Sequence, residues 1–308
     1  MESFLLVAGQ VAVLFLLMSV GFACRKAKLL DDLSVRGLIN LLFYVVNPCL
    51  IVDAFNRSFD VTMLGGLGVA FAFAVVTHLF LIALTRFMFS RCGQDTRIVL
   101  RISAVFSNAG FMGIPLEQAL LGSEGVFYGV AYIVAFNLFM WSWGLGVCQE
   151  GRFAFSSRTF RNPGLVGIAI GIGVFLIPWK LPYVLSQAVA TVAPLNTPIA
   201  MAVIGYYLAG AKFSAALRSP SAHLAVAVRL LLCPALAIAA LWPLRASLDR
   251  TLMMAMVIPA AAPVAAMVSM FAAKYERDVE MSVSMVSGTT LLSMVTMPVM
   301  LSIAMELL

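Results

Sequence analysis

The sequence predicts an all-α integral membrane protein of ten transmembrane helices, arranged as two inverted five-helix repeats. Three observations lead there. Of 308 residues, 62% are hydrophobic and 11% charged, too little polar surface to coat a water-soluble globule. Apolar runs of about 20 residues, each enough to span a bilayer, recur from end to end. Two of these runs are broken in their middles by helix-breaking residues, one in each half: Phe106-Ser107-Asn108-Ala109-Gly110-Phe111-Met112-Gly113-Ile114-Pro115 and Ile258-Pro259-Ala260-Ala261-Ala262-Pro263.

The ten expected spans lie near residues 3–23, 36–55, 62–86, 98–121, 124–148, 163–179, 183–210, 221–243, 250–273 and 280–305. The first is a membrane helix and not a signal peptide, because Met1-Glu2-Ser3 has no positive n-region and no small-residue cleavage pattern precedes Arg25-Lys26. The second carries Asn47-Pro48, the third a deep His78, and the fourth the first break. Gly122-Ser123-Glu124-Gly125-Val126 introduces the fifth. The sixth holds Gly167 and Gly171 at G-x-x-x-G spacing, either a homodimer face or tight packing within the bundle. The seventh bends at Ala193-Pro194-Leu195-Asn196-Thr197-Pro198, the eighth holds Arg229, and the ninth has the second break. Tyr275-Glu276-Arg277-Asp278-Val279 introduces the tenth.

Lysine and arginine set the orientation, since they are retained in the cytoplasm. Loops after odd-numbered spans hold fifteen of them, and the opposite side holds only Arg57, Lys180, Arg245 and Arg250. Both termini are therefore expected outside. The richest cytoplasmic linker, residues 151–162, divides the chain into a first repeat (1–150) and a second (163–308), and an odd number of spans per half makes the halves inverted. Tyr44-Val45-Val46-Asn47-Pro48 and Ala193-Pro194-Leu195-Asn196-Thr197-Pro198 add a weak internal likeness.

Several function classes are excluded. The net charge of +6 is mostly a topology signal and lacks the concentrated basic face of a nucleic-acid binder. Five scattered cysteines give neither a disulfide framework nor metal spacing, and the eighteen methionines, among them Met253, Met254 and Met256, form no copper cluster. No metal or cofactor is expected. There is no His-Glu-x-x-His, Gly-x-Ser-x-Gly or phosphate-binding Gly-x-x-x-x-Gly-Lys-Ser/Thr motif, which argues against an enzyme and against ATP drive within the chain.

Paired interrupted spans are instead the sequence sign of a carrier site between inverted repeats. The Asn47-Pro48 span, Ser107-Asn108-Ala109-Gly110-Phe111-Met112-Gly113-Ile114-Pro115-Leu116, Pro194-Leu195-Asn196-Thr197-Pro198 followed by Ile204-Gly205-Tyr206-Tyr207-Leu208-Ala209, and Ala262-Pro263-Val264-Ala265-Ala266 resemble the auxin efflux carrier family, particularly its short bacterial members. The resemblance covers nearly the whole chain. It implies kinship with bile-acid/sodium symporter-like transporters, a scaffold part and a transport part, helices 4 and 9 crossing at unwound centres, and a place in the bacterial cytoplasmic membrane. Bacterial relatives carry small organic anions such as malate and malonate. Only about a dozen residues separate spans 5 and 6 here, whereas the long plant members have a large hydrophilic loop.

The first half of span 4 is expected to end near Asn108-Ala109-Gly110 and to restart at Pro115, because proline suits the first helical position. Glu117 would then occupy the new first turn, where a carboxylate suits the dipole. Pro263 is the matching restart in span 9. Two half-helix N-termini meeting near the midplane make an anion site. Asn108, with Ser107 and Gly110, is the first candidate for substrate contact; Asn47 and Asn196 are the second, with capping of a kink as an equal alternative. Arg229 either meets a substrate carboxylate, snorkels, or caps carbonyls of a broken helix. His78, Asp53 and Glu117 are the deep candidates for proton coupling, with a neutral core histidine as the alternative for His78. Sodium coupling, which wants several oxygens, or no coupling stays open. The expected function is a secondary carrier of a small organic anion, malate/malonate-like or auxin-like, with a channel or ligand-sensing membrane protein as the alternative.

Overall fold

The computed structural model describes residues 2–149, 163–176, 181–211, 214–217 and 219–308. The linker expected at 151–162 lies outside them, as do Lys180, Lys212 and Arg218. Among the described residues the chain is helical, without strands. We number the helices α1 (Glu2–Lys26), α2 (Asp32–Phe55), α3 (Val61–Arg86), α4 (Gln94–Val105), α5 (Ala109–Cys148), α6 (Pro163–Leu176), α7 (Tyr183–Leu208), α8 (Pro220–Leu244), α9 (Arg250–Ala261), α10 (Met267–Lys274) and α11 (Val279–Leu307), with one further turn at Ser214–Leu217. Seven of them are long and apolar enough to cross a membrane.

Helix α5 is one 40-residue element by hydrogen bonding, yet it doubles back. Gly122 sits at φ +69° inside it, a conformation open to glycine and strained for other residues. A straight helix would separate Glu117 from Gly129 by about 18 Å. Instead, a Cβ placed on Gly129 would fall 1.8 Å from a Glu117 carboxylate oxygen. The first limb, from Ala109, and the second, to Cys148, therefore pack against each other.

Several helices are uneven along their length. Wide π turns occur at Leu42–Val46 in α2, Ala109–Gly113 and Met140–Gly144 in α5, and Val228–Leu232 in α8. Each of the first, second and fourth is followed within two residues by a proline: Pro48, Pro115 and Pro234. A proline ring crowds the carbonyl four residues back, and a wider turn accommodates it. In α7 the Pro194 position is met by a tighter 3₁₀ turn, Ala193–Leu195.

Burial is greatest in the helices that lead into the two breaks. Every residue from Leu252 to Ala261 of α9 is buried, and so are most of those in the second half of α4. The regular helices form the rim: no residue of Tyr183–Val192 is buried, and α1 exposes Leu5, Leu16 and Val20. An intact helix satisfies its own backbone and can face lipid; a broken one must be enclosed.

Small residues allow the closest contacts. A Cβ on Gly205 of α7 would lie 1.8 Å from the Met18 carbonyl oxygen of α1, and one on Gly21 would lie 2.0 Å from the Ala202 oxygen. Gly167 and Gly171 of α6 abut Pro48, Ile51 and Phe55 of α2, so this glycine pair is occupied by packing within the chain. Polar clasps tie helix ends and loops together. Arg25 donates to the Tyr206 carbonyl (2.9 Å) and lies over the Tyr206 ring, whose hydroxyl donates to Asp32 (2.8 Å). Arg277 pairs with Asp95 (2.8 Å) and donates to the Cys148 carbonyl, while Thr96 donates to Asp278 (2.6 Å).

Gly205→Ala should destabilise the fold by about 1–3 kcal/mol, the usual cost of overpacking, because the atom it meets is α1 backbone. Thermal unfolding in detergent should show a clear drop in midpoint, whereas Gly9→Ala, inside α1 with open space around the added carbon, should hold or raise it.

Candidate functional site

The two breaks lie side by side and complete each other's backbone bonding. Ser107 and Val264 form an isolated antiparallel bridge. The Asn108 N–H donates to the Pro263 carbonyl (2.6 Å) and the Ala265 N–H to the Phe106 carbonyl (3.0 Å). The Val264 N–H finds the Thr289 hydroxyl of α11 at 3.1 Å. The irregular segments are thus only about as long as this pairing needs.

Both restarts differ in place from the sequence expectation. Helix α4 ends at Val105, and the chain becomes helical again at Ala109 through a π turn. Regular α-helix begins at Ile114 with Pro115 in its first turn, close to the expected place, but the π turn ahead of it makes the whole a continuing helix from Ala109. Glu117 lies eight residues beyond that restart, about 12 Å along the axis, past the reach of the N-terminal dipole. In the second half, Pro259 stays inside α9, Pro263 sits in the extended segment, and Met267 begins α10. The cause is common to both: the paired extended segments set where α4 and α9 stop and where the chain turns helical again.

Four helix ends meet here, and they are treated unequally. The two C-terminal ends converge on Arg229, which is fully buried. Its guanidinium donates to the Val105 carbonyl (3.1 Å) and Ala104 carbonyl (3.5 Å) of α4, to the Ala260 carbonyl of α9, and to Cys233 Sγ one turn along its own helix. Of the readings open to Arg229, this is the carbonyl cap, made to both broken helices at once. Such a cation neutralises the negative ends of the two dipoles. Tyr132 and Ser107 lie beside it, their hydroxyls buried without a hydrogen bond of normal geometry.

The two N-terminal ends open onto a cavity of about 100 Å³. Asn108, Gly110 and Phe111 line it from the start of α5, and Ala265, Ala266 and Met267 from the start of α10. Ser107 and Asn47 complete the polar lining on that side. The Asn108 side chain has no protein hydrogen bond among the described residues. Phe43, Phe111 and Phe136, with Leu50, Ile51, Ile114 and Ile133, form an apolar wall. No ionisable residue is among the fifteen that line the space.

Of the residues singled out in the sequence, Ser107, Asn108, Gly110 and Asn47 therefore come together at the cavity. Asn196 stands one step behind: its amide donates to the Asn47 side chain, joining the bends of α7 and α2. Pro115, Pro263 and Arg229 do not line the cavity. Nor do the three coupling candidates. His78 is fully buried, its Nδ1 donating to the Ala74 carbonyl (2.7 Å), with rings of Phe106, Tyr132 and Phe139 around it. Glu117 is buried against Gly129, and Asp53 lies half-buried near Arg57.

One lining residue escaped sequence reading. Asn137 of α5 faces the cavity and donates to the Ile133 carbonyl (2.9 Å). Its signal was a lone amide inside the apolar run Ala135-Phe136-Asn137-Leu138, without the neighbouring proline or glycine that marked the other asparagines.

A family model described as "Membrane transport protein" matches the chain twice, over residues 6–155 and 152–301. No curated protein matches the sequence.

Arg229→Gln should lower stability by at least about 2 kcal/mol, since hydrogen bonds to a charged group contribute about 1.5–3 kcal/mol each and two helix ends lose their cation. Arg229→Lys should recover only part of this, because a single ammonium cannot fork between two helices. Thermal unfolding of both variants in detergent reads the difference.

Proposed function

The chain belongs to the membrane transport protein family of the auxin efflux carriers, and we propose that it is a secondary carrier of a small organic monoanion with an apolar body. The observation that carries this reading is the cavity lined by both helix N-termini while Arg229 neutralises both C-termini. Each N-terminus contributes about +0.5 of an elementary charge and free N–H donors, so the net field in the cavity favours an anion. The Asn108 amide supplies a directed hydrogen bond to a carboxylate.

The lining argues for one carboxylate rather than two. A second charge, as in malate or malonate, would be buried without a cation among the lining residues, at a cost of several kcal/mol. Three phenylalanines and four branched aliphatic side chains offer instead a surface for an apolar or aromatic body. By charge and lining the auxin-like alternative is favoured over the dicarboxylate, with the cavity of about 100 Å³ widening to admit an indole-sized body.

In this reading the chain crosses a bacterial cytoplasmic membrane ten times, as inverted repeats with both termini outside. Helix α4 with the first limb of α5 makes one interrupted span, α9 with α10 the other, and the two cross at their breaks. Alternating access moves this crossing around the bound anion. The absence of His78, Asp53 and Glu117 from the residues lining the cavity supports transport driven by the anion gradient and membrane potential, without a side-chain proton relay at the site.

Purified protein in proteoliposomes should take up radiolabelled indole carboxylate saturably and support counterflow, with malonate weaker. Asn108→Ala should reduce that uptake about 10- to 100-fold, the loss of one charge-assisted hydrogen bond, with unchanged thermal unfolding. Non-saturable flux would indicate a channel, binding without flux a sensor, and a preference for malonate would overturn the monoanion assignment.

A further inference from the structure

A second group of cations lies away from the cavity, where the C-terminal end of α3 meets the first turns of α4. Arg97 and Arg101 are one helical turn apart on α4 and so share a face, their Cβ atoms about 5–6 Å apart. Arg86 ends α3, and its charge, like that of Arg97, bears on Arg101. Three like charges drawn together are mutually repulsive. The acid on this stretch of α4, Asp95, is already paired with Arg277 at 2.8 Å.

Arg101 is the most demanding of the three. Its side chain is partly buried, with the guanidinium 5.4 Å above the Trp143 ring of α5. Its Nε is buried without an acceptor, and no hydrogen bond or ion pair satisfies the rest of the group among the described residues. An arginine presents five N–H donors in a planar fork, and a guanidinium over an aromatic face gains a cation–π attraction that leaves those donors free for an anion. Trp143 is itself packed on Phe106, at 5.9 Å between ring centroids.

We infer that Arg86, Arg97 and Arg101, backed by Trp143, form a binding site for a phosphate-type anion, presented on a lipid headgroup or as a free ion. The fork of Arg101 matches two phosphate oxygens, and Arg86 and Arg97 supply the remaining charge. Basic pockets between membrane helices hold anionic headgroups by this chemistry. The site is independent of the carrier reading and is tested by binding alone.

Thermal unfolding of the purified full chain in detergent, with phosphatidylglycerol, phosphatidylcholine or inorganic phosphate added at matched ionic strength, decides it. Phosphatidylglycerol should raise the wild-type midpoint and phosphatidylcholine should not; Arg101→Gln should lower the apparent affinity about 10- to 100-fold, as for a lost charge-assisted bond, so that the gain disappears at lipid concentrations that half-saturate the wild type. A matching response to inorganic phosphate would identify a free anion as a source, and its absence the headgroup alone. Arg36→Gln, an exposed arginine on α2, should keep the full response. Equal effects of the two lipids with none from phosphate, an undiminished response in Arg101→Gln, or an equal loss in Arg36→Gln would each overturn the site. Should Arg101→Gln fail to fold, Arg86→Gln, exposed at the end of α3, takes its place with the same expected loss.

Discussion

A backbone interrupted inside an apolar bundle must have its N–H and C=O groups satisfied by protein, because no water or lipid there can do it. The rest of this structure depends on that requirement. The two breaks meet it by pairing with each other through Ser107 and Val264, so neither is stable as an isolated feature. Thr289 of α11 takes the N–H that the pairing leaves over. Enclosure of the breaks then determines the layout: α9 and the end of α4 occupy the core, and intact helices such as α1 and the first turns of α7 are left at the rim.

Pairing the extended segments does not neutralise the helix ends that flank them. Arg229 does so for the C-termini, and one side chain serves two helices because the breaks bring Val105 and Ala260 within reach of a single guanidinium. A buried cation would ordinarily be costly. Here the carbonyl ends are its counter-charge, and so it is held by the same defect that it stabilises. The N-termini receive no equivalent carboxylate: Glu117 lies two helical turns too far along α5, against Gly129.

How much of this the sequence revealed depends on the kind of signal. The interrupted runs were legible because Gly and Pro have few other reasons to cluster in an apolar segment, and Asn108 and Asn47 were legible as amides beside such clusters. The restart points were not. Prolines mark where a regular turn is impossible, but the chain can answer with a π turn, as before Pro115 and Pro234, and remain helical. The true boundaries were fixed by a pairing between residues more than 150 positions apart, which no local pattern encodes. Arg229 was recognisable as important from its depth, but depth along one helix cannot say which neighbouring groups it reaches. Asn137 carried only its own polarity. Family likeness told of the crossing as an expectation; it did not distinguish a substrate cation from a cap.

On the proposed reading of the chain as an anion carrier, that distinction bears on how the substrate is handled. A lysine or arginine in the cavity would bind a carboxylate tightly, and when the site was empty it would stand desolvated and unpaired, costing several kcal/mol. It would then favour the occupied state and hinder release, whereas passage through a membrane requires binding weak enough to leave. Helix N-termini supply attraction without that penalty, because their partial charges belong to the backbone of α5 and α10, while Arg229 offsets the negative ends of α4 and α9 at the same break. An empty cavity lined by Asn108, Gly110 and Met267 therefore contains no full charge to solvate. Placing the cation behind the helices and the dipoles in front lets the site be attractive to an anion when filled and tolerable when vacant, which is the condition a carrier must satisfy in both halves of its cycle.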